Sequence, residues 1–131
     1  MATAEINSGI CGFSATVRTQ KEGSKAKLSI ESECKAIQAL AAEVAEVDHF
    51  QEITFRGSGP RSLELGAKHC YHPACPVPVG IIKAVEIEAG LALPKDAAIK
   101  LSKERGGKGR QGKRIWIGSQ VRRTYFHRCM H

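Results

Sequence analysis

Apolar and polar positions alternate at Phe13, Ala15 and Val17, with Ser14, Thr16 and Arg18 between them. A period of two marks a strand with one buried face. The stretch 10–18 is therefore read as a strand, and Thr19–Ser24, punctuated by Gly23 and Ser24, as a turn. Alternation resumes at Ala26, Leu28 and Ile30, so 25–31 is a second strand. Two such runs around a short polar loop predict an antiparallel hairpin. Over 34–47 the period lengthens: Ile37, Leu40, Ala41, Val44 and Val47 fall at helical spacing, with Glu43 and Glu46 off that stripe. Ser32 is a suitable N-cap, which places Cys34 in or just before the first helical turn. Residues 52–55 read as a short strand, Gly57–Pro60 as a break, and 61–68 as a short helix.

The second main helix spans 76–89. Pro76 suits the first helical position, where a missing N–H costs nothing. Val79, Ile82, Val85 and Ala89 make an apolar stripe, Gly90 suits the C-terminal cap, and Pro94 prevents continuation. Ala97–Leu101 is then a further strand. The fold class that results is α+β: an N-terminal β-hairpin, two main helices packed on one face of a small sheet, and a further strand near 97–101.

The 131 residues have room for one domain of ordinary globular composition. No apolar run approaches the roughly 18 residues that span a bilayer. The first residues lack the basic start and apolar stretch of a signal peptide. A cytoplasmic protein with no membrane partner is the expectation. Charge is unevenly placed. Residues 1–100 carry 11 Lys/Arg against 12 Asp/Glu, and residues 101–131 carry 9 against 1. This divides the chain into a domain over 1–103 and a basic, Gly-rich tail over 104–131. The run Arg105–Arg114 has the composition of a flexible linker, and Ile115–Ile117, Val121, Tyr125 and Phe126 form a hydrophobic patch after it. Three readings of the tail stand side by side: a nucleic-acid arm with Trp116 and Tyr125 stacking on bases, a docked hairpin, and a simple extension. The near-neutral body has no electrostatic reason to bind nucleic acid. An unidentified protein partner stays open.

The densest chemistry is His69-Cys70-Tyr-His72-Pro-Ala-Cys75-Pro-Val-Pro78. Four soft-metal donors fall within seven residues, and the prolines stiffen the segment that holds them. Cys11 opens the first strand between Gly9 and Gly12, and Cys34 and Cys75 lie at the starts of the two main helices. If those starts gather at one end, Cys11, Cys34, Cys70 and Cys75 make an all-cysteine site for an iron–sulfur cluster or zinc. His69 and His72 are further candidate ligands. Cysteines in a reducing compartment are more often metal-binding or catalytic than disulfide-bonded. The bland alternative is that Cys11 and Cys34 are small buried hydrophobes. A redox, sensing or accessory role is expected of a metal site here. Whether the chain is an enzyme is not decided by its residues.

Cys75 supports a competing reading by itself. Cys75-Pro76-x-Pro78 at a helix start resembles the motif of the small sulfur-carrier proteins of the TusA/SirA type. That resemblance implies a persulfide carried on Cys75. Independently of it, a cysteine at a helix N-terminus near histidine has a lowered pKa and reacts as a nucleophile. A broader block, Gly66-Ala-Lys-His-Cys70 with Ala74–Gly80, Ala89–Asp96 and Gly9–Phe13, is similar to a small prokaryotic family of unknown function over about residues 3–101.

Other motifs fail. Cys75 with His69 or His72 and Asp48 or Asp96 would supply the parts of a Cys/His hydrolase, but no spacing selects those carboxylates. Gly106–Lys113 lacks the Ser/Thr of a phosphate loop, since Arg114 follows Lys113. His127, Cys129 and His131 alternate at the end of the tail, where a frayed segment is the expected setting.

Overall fold

A computed structural model describes residues 1–104 of the chain. The chain divides into a compact unit, Met1–Leu93, and a second unit, Pro94–His131. The described residues of the first form a four-stranded antiparallel sheet and four helices, an α+β architecture.

The sheet is a meander. Strands β1 (Ala2–Asn7), β2 (Ser14–Glu22), β3 (Lys25–Ser32) and β4 (Glu46–Asp48) lie side by side in chain order. The hairpin is longer than its alternation suggested. Pairing runs from Ala15↔Ser32 to Glu22↔Lys25, so only Gly23 and Ser24 turn the chain. Gly23 has φ +61°, which a two-residue hairpin loop requires and glycine adopts without strain. Residues Thr19–Glu22 extend β2 instead of forming a loop. Strand β1 is an addition to the predicted elements, paired through Ala2↔Thr19 to Asn7↔Ser14.

Helices α1 (Lys35–Glu43), α2 (His49–Glu52), α3 (Arg61–His69) and α4 (Val77–Glu88) follow. The first helix ends four residues before the predicted Val47. Leu28 N–H donates to the Ala45 carbonyl, and Val47 pairs with Ala26 as part of β4. Val47 fits a helical stripe by spacing but is needed at the sheet edge, and tertiary pairing prevails. The N-cap of α1 is Cys34, not Ser32; Ser32 Oγ instead accepts from Cys34 N–H at 3.2 Å. The predicted strand at 52–55 does not form: Glu52 ends α2, whose N-cap Asp48 accepts from Phe50 and Gln51 N–H, and residues 53–55 contain no helix or strand. Nor does Ala97–Leu101 form a strand: residues 94–104 contain no helix or strand.

Helix α3 begins after Pro60, which offers no side-chain cap. The buried Glu52 carboxylate takes that role, accepting from Arg61 N–H, Ser62 N–H and Ser62 Oγ–H. Charge at a helix start, fully hydrogen-bonded, is a stable way to bury a carboxylate. Helix α4 ends in a Schellman pattern: Leu91 N–H donates to Glu86 O, Gly90 N–H donates to Ile87 O, and Gly90 has φ +76°.

The core lies between the sheet and the helices. Ala15, Val17 and Ala26 from the sheet meet Ile37, Leu40, Leu65, Val77, Ile81, Ala84 and Val85 from the helices. The buried face of α4 is thus Val77, Pro78, Ile81, Ala84 and Val85, and Val79 of the predicted stripe is half exposed. With apolar residues off the buried face as well as on it, Val79, Ile82 and Ile87 among them, the helix gives periodicity little to select between. Helix α4 runs along β2 in the same direction. The Ala84 carbonyl lies 3.3 Å from Thr19 Oγ1, and Glu88 Oε1 accepts from Lys21 N–H at 3.1 Å. Gly80 faces the Ile6 side chain, level with Ala15 through the Ile6↔Ala15 pair.

Candidate functional site

That parallel placement decides where the cysteines lie. The start of α4 stands at the end of the sheet where β1 finishes, β2 begins and β3 finishes. Cys75 immediately precedes the α4 cap, Pro76. Cys70 is the C-cap of α3, its N–H bonded to Gly66 O at 2.9 Å. Cys34 caps α1 just past β3. Cys11 sits in the loop Ser8–Phe13 that joins β1 to β2.

Helices α3 and α4 form an antiparallel pair joined by the short Cys70–Pro76 segment, closed by a Cys75 N–H to His72 O bond at 3.4 Å. They meet where Gly66, in the last turn of α3, faces Pro78, in the first turn of α4. A Cβ on Gly66 would lie 2.7 Å from Pro78 Cγ. This close approach holds the ends that carry the two cysteines together. The signal for it was present in the sequence as a glycine inside a helical segment, where alanine is the better helix former.

Cys70 and Cys75 are both half-buried against the core, and their thiols are near enough to act on each other's charge. The hydrogen bond from Cys70 favours the Cys75 thiolate, partial burial opposes it, and the Val77 backbone N–H and the positive charge of His72 add to it. The Cys75 thiol is thereby lowered from an ordinary 9.0 to about 6. Cys70 moves the opposite way, far above the thiol range, because it donates to Cys75, is partly desolvated, and faces the Cys75 and Cys34 sulfurs as like charges. The two opposed shifts belong to the pair. Cys34 packs on the same part of the core and is close enough to Cys70 to act on its charge.

The two histidines separate. His72 is beside Cys75. His69 points elsewhere: its Nε2 is 3.1 Å from Glu43 Oε1, an electrostatic contact whose N–H is not aligned for a hydrogen bond. Lys68 Nζ holds the same oxygen at 2.8 Å. The Lys68 hydrogen bond, with His69 helping against slight desolvation, keeps the Glu43 carboxyl below its usual range. Glu43 was not singled out by the sequence; nothing there shows that it faces His69 twenty-six residues on.

Among the described residues, no group of three or more His, Cys, Asp or Glu side chains stands arranged to hold a metal ion. The Cys70–Cys75 pair is assembled, Cys34 is near it, and Cys11 lies apart on its loop. The tail from 105 on, with its three readings and with His127, Cys129 and His131, lies outside the described residues. None of the described helices is long and apolar enough to cross a membrane.

The chain belongs to DUF6951, a family of unknown function whose model matches residues 2–101. No curated protein and no solved structure matches the chain. The Cys75-Pro76-x-Pro78 segment follows four strands and three helices. In the sulfur carriers it joins the first strand to the first helix, so the resemblance stays local to the motif.

Proposed function

We propose that this domain is a thiol–disulfide exchange protein in which Cys75 is the nucleophile and Cys70 the resolving thiol. The observation that supports the reading is the close docking of Gly66 in α3 on Pro78 in α4, which brings Cys70 at the end of α3 and Cys75 at the start of α4 to the same end of the helix pair. Cys75 as thiolate attacks one sulfur of a substrate disulfide, and one substrate thiolate leaves. Cys70 then loses its proton to solvent or to that leaving group and attacks Cys75 Sγ. The second substrate thiolate leaves, and a Cys70–Cys75 disulfide remains. The substrate gains two electrons and the domain loses two. His72 and the Val77 N–H favour the attacking thiolate.

The same closeness favours exchange over persulfide storage. A persulfide on Cys75 would be attacked by Cys70, releasing hydrosulfide and leaving the disulfide. A carrier is better served by an isolated cysteine.

Equilibration of the reduced chain in glutathione buffers, with acid trapping and peptide mapping, tests the proposal. A Cys70–Cys75 bond should form before any other, and Cys70→Ser should accumulate glutathione on Cys75. A reduced pair that survives strongly oxidising buffer, or scrambled pairing among the cysteines, would refute it.

A further inference from the structure

Strand β1 forms one edge of the sheet, and its outer side is open. Ser8 N–H donates to Phe13 O at 3.0 Å, which carries the β1–β2 ladder one pair beyond Asn7↔Ser14. Bonds in an antiparallel ladder recur at every second residue. Ile6, Ala4 and Ala2 therefore turn their N–H and C=O groups toward β2, and Thr3 and Glu5 turn theirs outward. Both outward residues are exposed, and no strand lies beside them among the described residues. Proteins commonly blunt such an edge with proline, lysine or a bulge. Strand β1 has none of these: its pairing with β2 is unbroken from Ala2 to Asn7, and Glu5 is its one charged residue.

The chain also carries a strand-like segment that forms no strand. The compact unit ends at Leu93, yet the family match continues to residue 101. The sequence pattern of the family thus includes residues 94–101, although residues 94–104 contain no helix or strand. Ile99 and Leu101 flank Lys100 at strand period, and they are 83% and 90% exposed. That alternation suits a strand with one buried face, and a single chain buries neither side chain.

We propose that residues 97–101 of one copy add as a strand to the β1 edge of a second copy, and that the second copy does the same in return. Two copies then cover both β1 edges about a two-fold axis, giving an isologous dimer. An antiparallel register with Lys100 opposite Glu5 suits both faces of the strand. It places Ile99 opposite Ile6 and Leu101 opposite Ala4, extending the apolar face that β1 packs on the core. Lys100 joins Glu5 on the polar face, where opposite charges across a strand pair attract. Glu5 and Lys100 are then a hydrogen-bonded pair, which uses the outward N–H and C=O of Glu5. A slip of one residue would turn Ile99 and Leu101 to the polar face and Lys100 to the apolar one. The surface is separate from the thiol pair and does not depend on the thiol reading.

Sedimentation of the full chain in reducing buffer, with amide hydrogen exchange on the same samples, tests the proposal. Reducing buffer removes intermolecular disulfides as a source of association. Twice the chain mass is expected, with the Thr3 and Glu5 amides exchanging at least about tenfold more slowly than in a monomeric variant. Ile99→Asp with Leu101→Asp should give a folded monomer, since neither side chain is buried in one chain. Glu5→Pro removes an outward donor and no ladder bond, and it should also give a folded monomer. Lys100→Glu should weaken the dimer by setting like charges opposite each other, and Glu5→Lys added to it should restore the dimer. A wild-type monomer would overturn the proposal, including one whose own segment protects the Thr3 and Glu5 amides. A dimer that persists in Ile99→Asp/Leu101→Asp would overturn it too, because another surface would then hold the copies together.

Discussion

Gly66→Ala tests whether helix spacing sets the chemistry of the thiol pair. The added Cβ would lie 2.7 Å from Pro78 Cγ and 3.3 Å from Pro78 Cβ. Carbon atoms in contact sit about 3.5–4.0 Å apart, so about 1 Å must be found. Neither partner can turn away: a Cβ is fixed to the backbone, and the proline ring is closed. The helices must separate. Overpacking of this kind costs about 1–3 kcal/mol. Alanine returns about 1 kcal/mol through its helix propensity. A net loss of about 1 kcal/mol is expected, or about 4–8 °C in Tm for a domain of this size. The effect on the thiols should be larger in kind. Gly66 is one turn before Cys70, and Pro78 is three residues after Cys75, so separation weakens the bond that favours the Cys75 thiolate. The alkylation midpoint of Cys75 should climb from about 6 toward the ordinary 9.0. Iodoacetamide labelling across pH, resolved by peptide mass spectrometry, reads the midpoint, and urea unfolding reads stability. Gly66→Ala with Pro78→Ala should recover part of both. A variant more stable than wild type, with an unmoved midpoint, would show that Gly66 is no spacer.

Other outcomes follow from the same structure. Gly80→Ala drives a Cβ into Ile6, 2.7 Å from Cγ1, so it should cost about 1–3 kcal/mol in urea unfolding before the propensity gain of about 1 kcal/mol, and Ile6→Val should lessen the loss. Glu52→Ala strips the start of α3 of its acceptor and leaves buried donors unpaired; a loss of about 3 kcal/mol is expected, and a neutral result would remove Glu52 from its capping role. Stability of the reduced, metal-free protein should vary with pH through the thiol pair. Between about 6 and 9.0, folded Cys75 has lost a proton that the unfolded chain keeps, so stability rises with pH. Above the ordinary thiol range, folded Cys70 keeps a proton that the unfolded chain has lost, so stability falls. Urea midpoints measured across pH for wild type and for Cys70→Ser/Cys75→Ser should differ by a curve with its maximum near pH 9, and a flat difference would contradict the opposed shifts.

Local pattern in the sequence was enough for several elements. The alternation at Ala15, Val17, Ala26, Leu28 and Ile30 determined the β2–β3 hairpin, because side chains on a strand change face at every residue. The glycine and prolines around α4 determined its limits, because φ restrictions act within one or two residues. Cysteine and histidine types marked the 69–75 segment as the place to look for soft-donor or thiol chemistry. What escaped the sequence depends on distant partners. Strand β1 is short and weakly apolar, and it exists through pairing with β2 and packing on α4. Val47 obeys a helical spacing but takes its conformation from Ala26 across the sheet. Ala97–Leu101 has a strand's composition and forms no strand. The site followed the same division. That Cys70 and Cys75 were candidates could be read from their neighbours along the chain. That they lie at one end of the α3–α4 pair, that His69 turns to Glu43 while His72 stays near Cys75, and that Cys34 and Cys11 share one end of the sheet were decided by the antiparallel docking of α3 on α4 and the parallel run of α4 along β2. Reactivity of a thiol is local chemistry, but proximity is set by contacts between residues far apart in the chain, and only the packed structure supplies those.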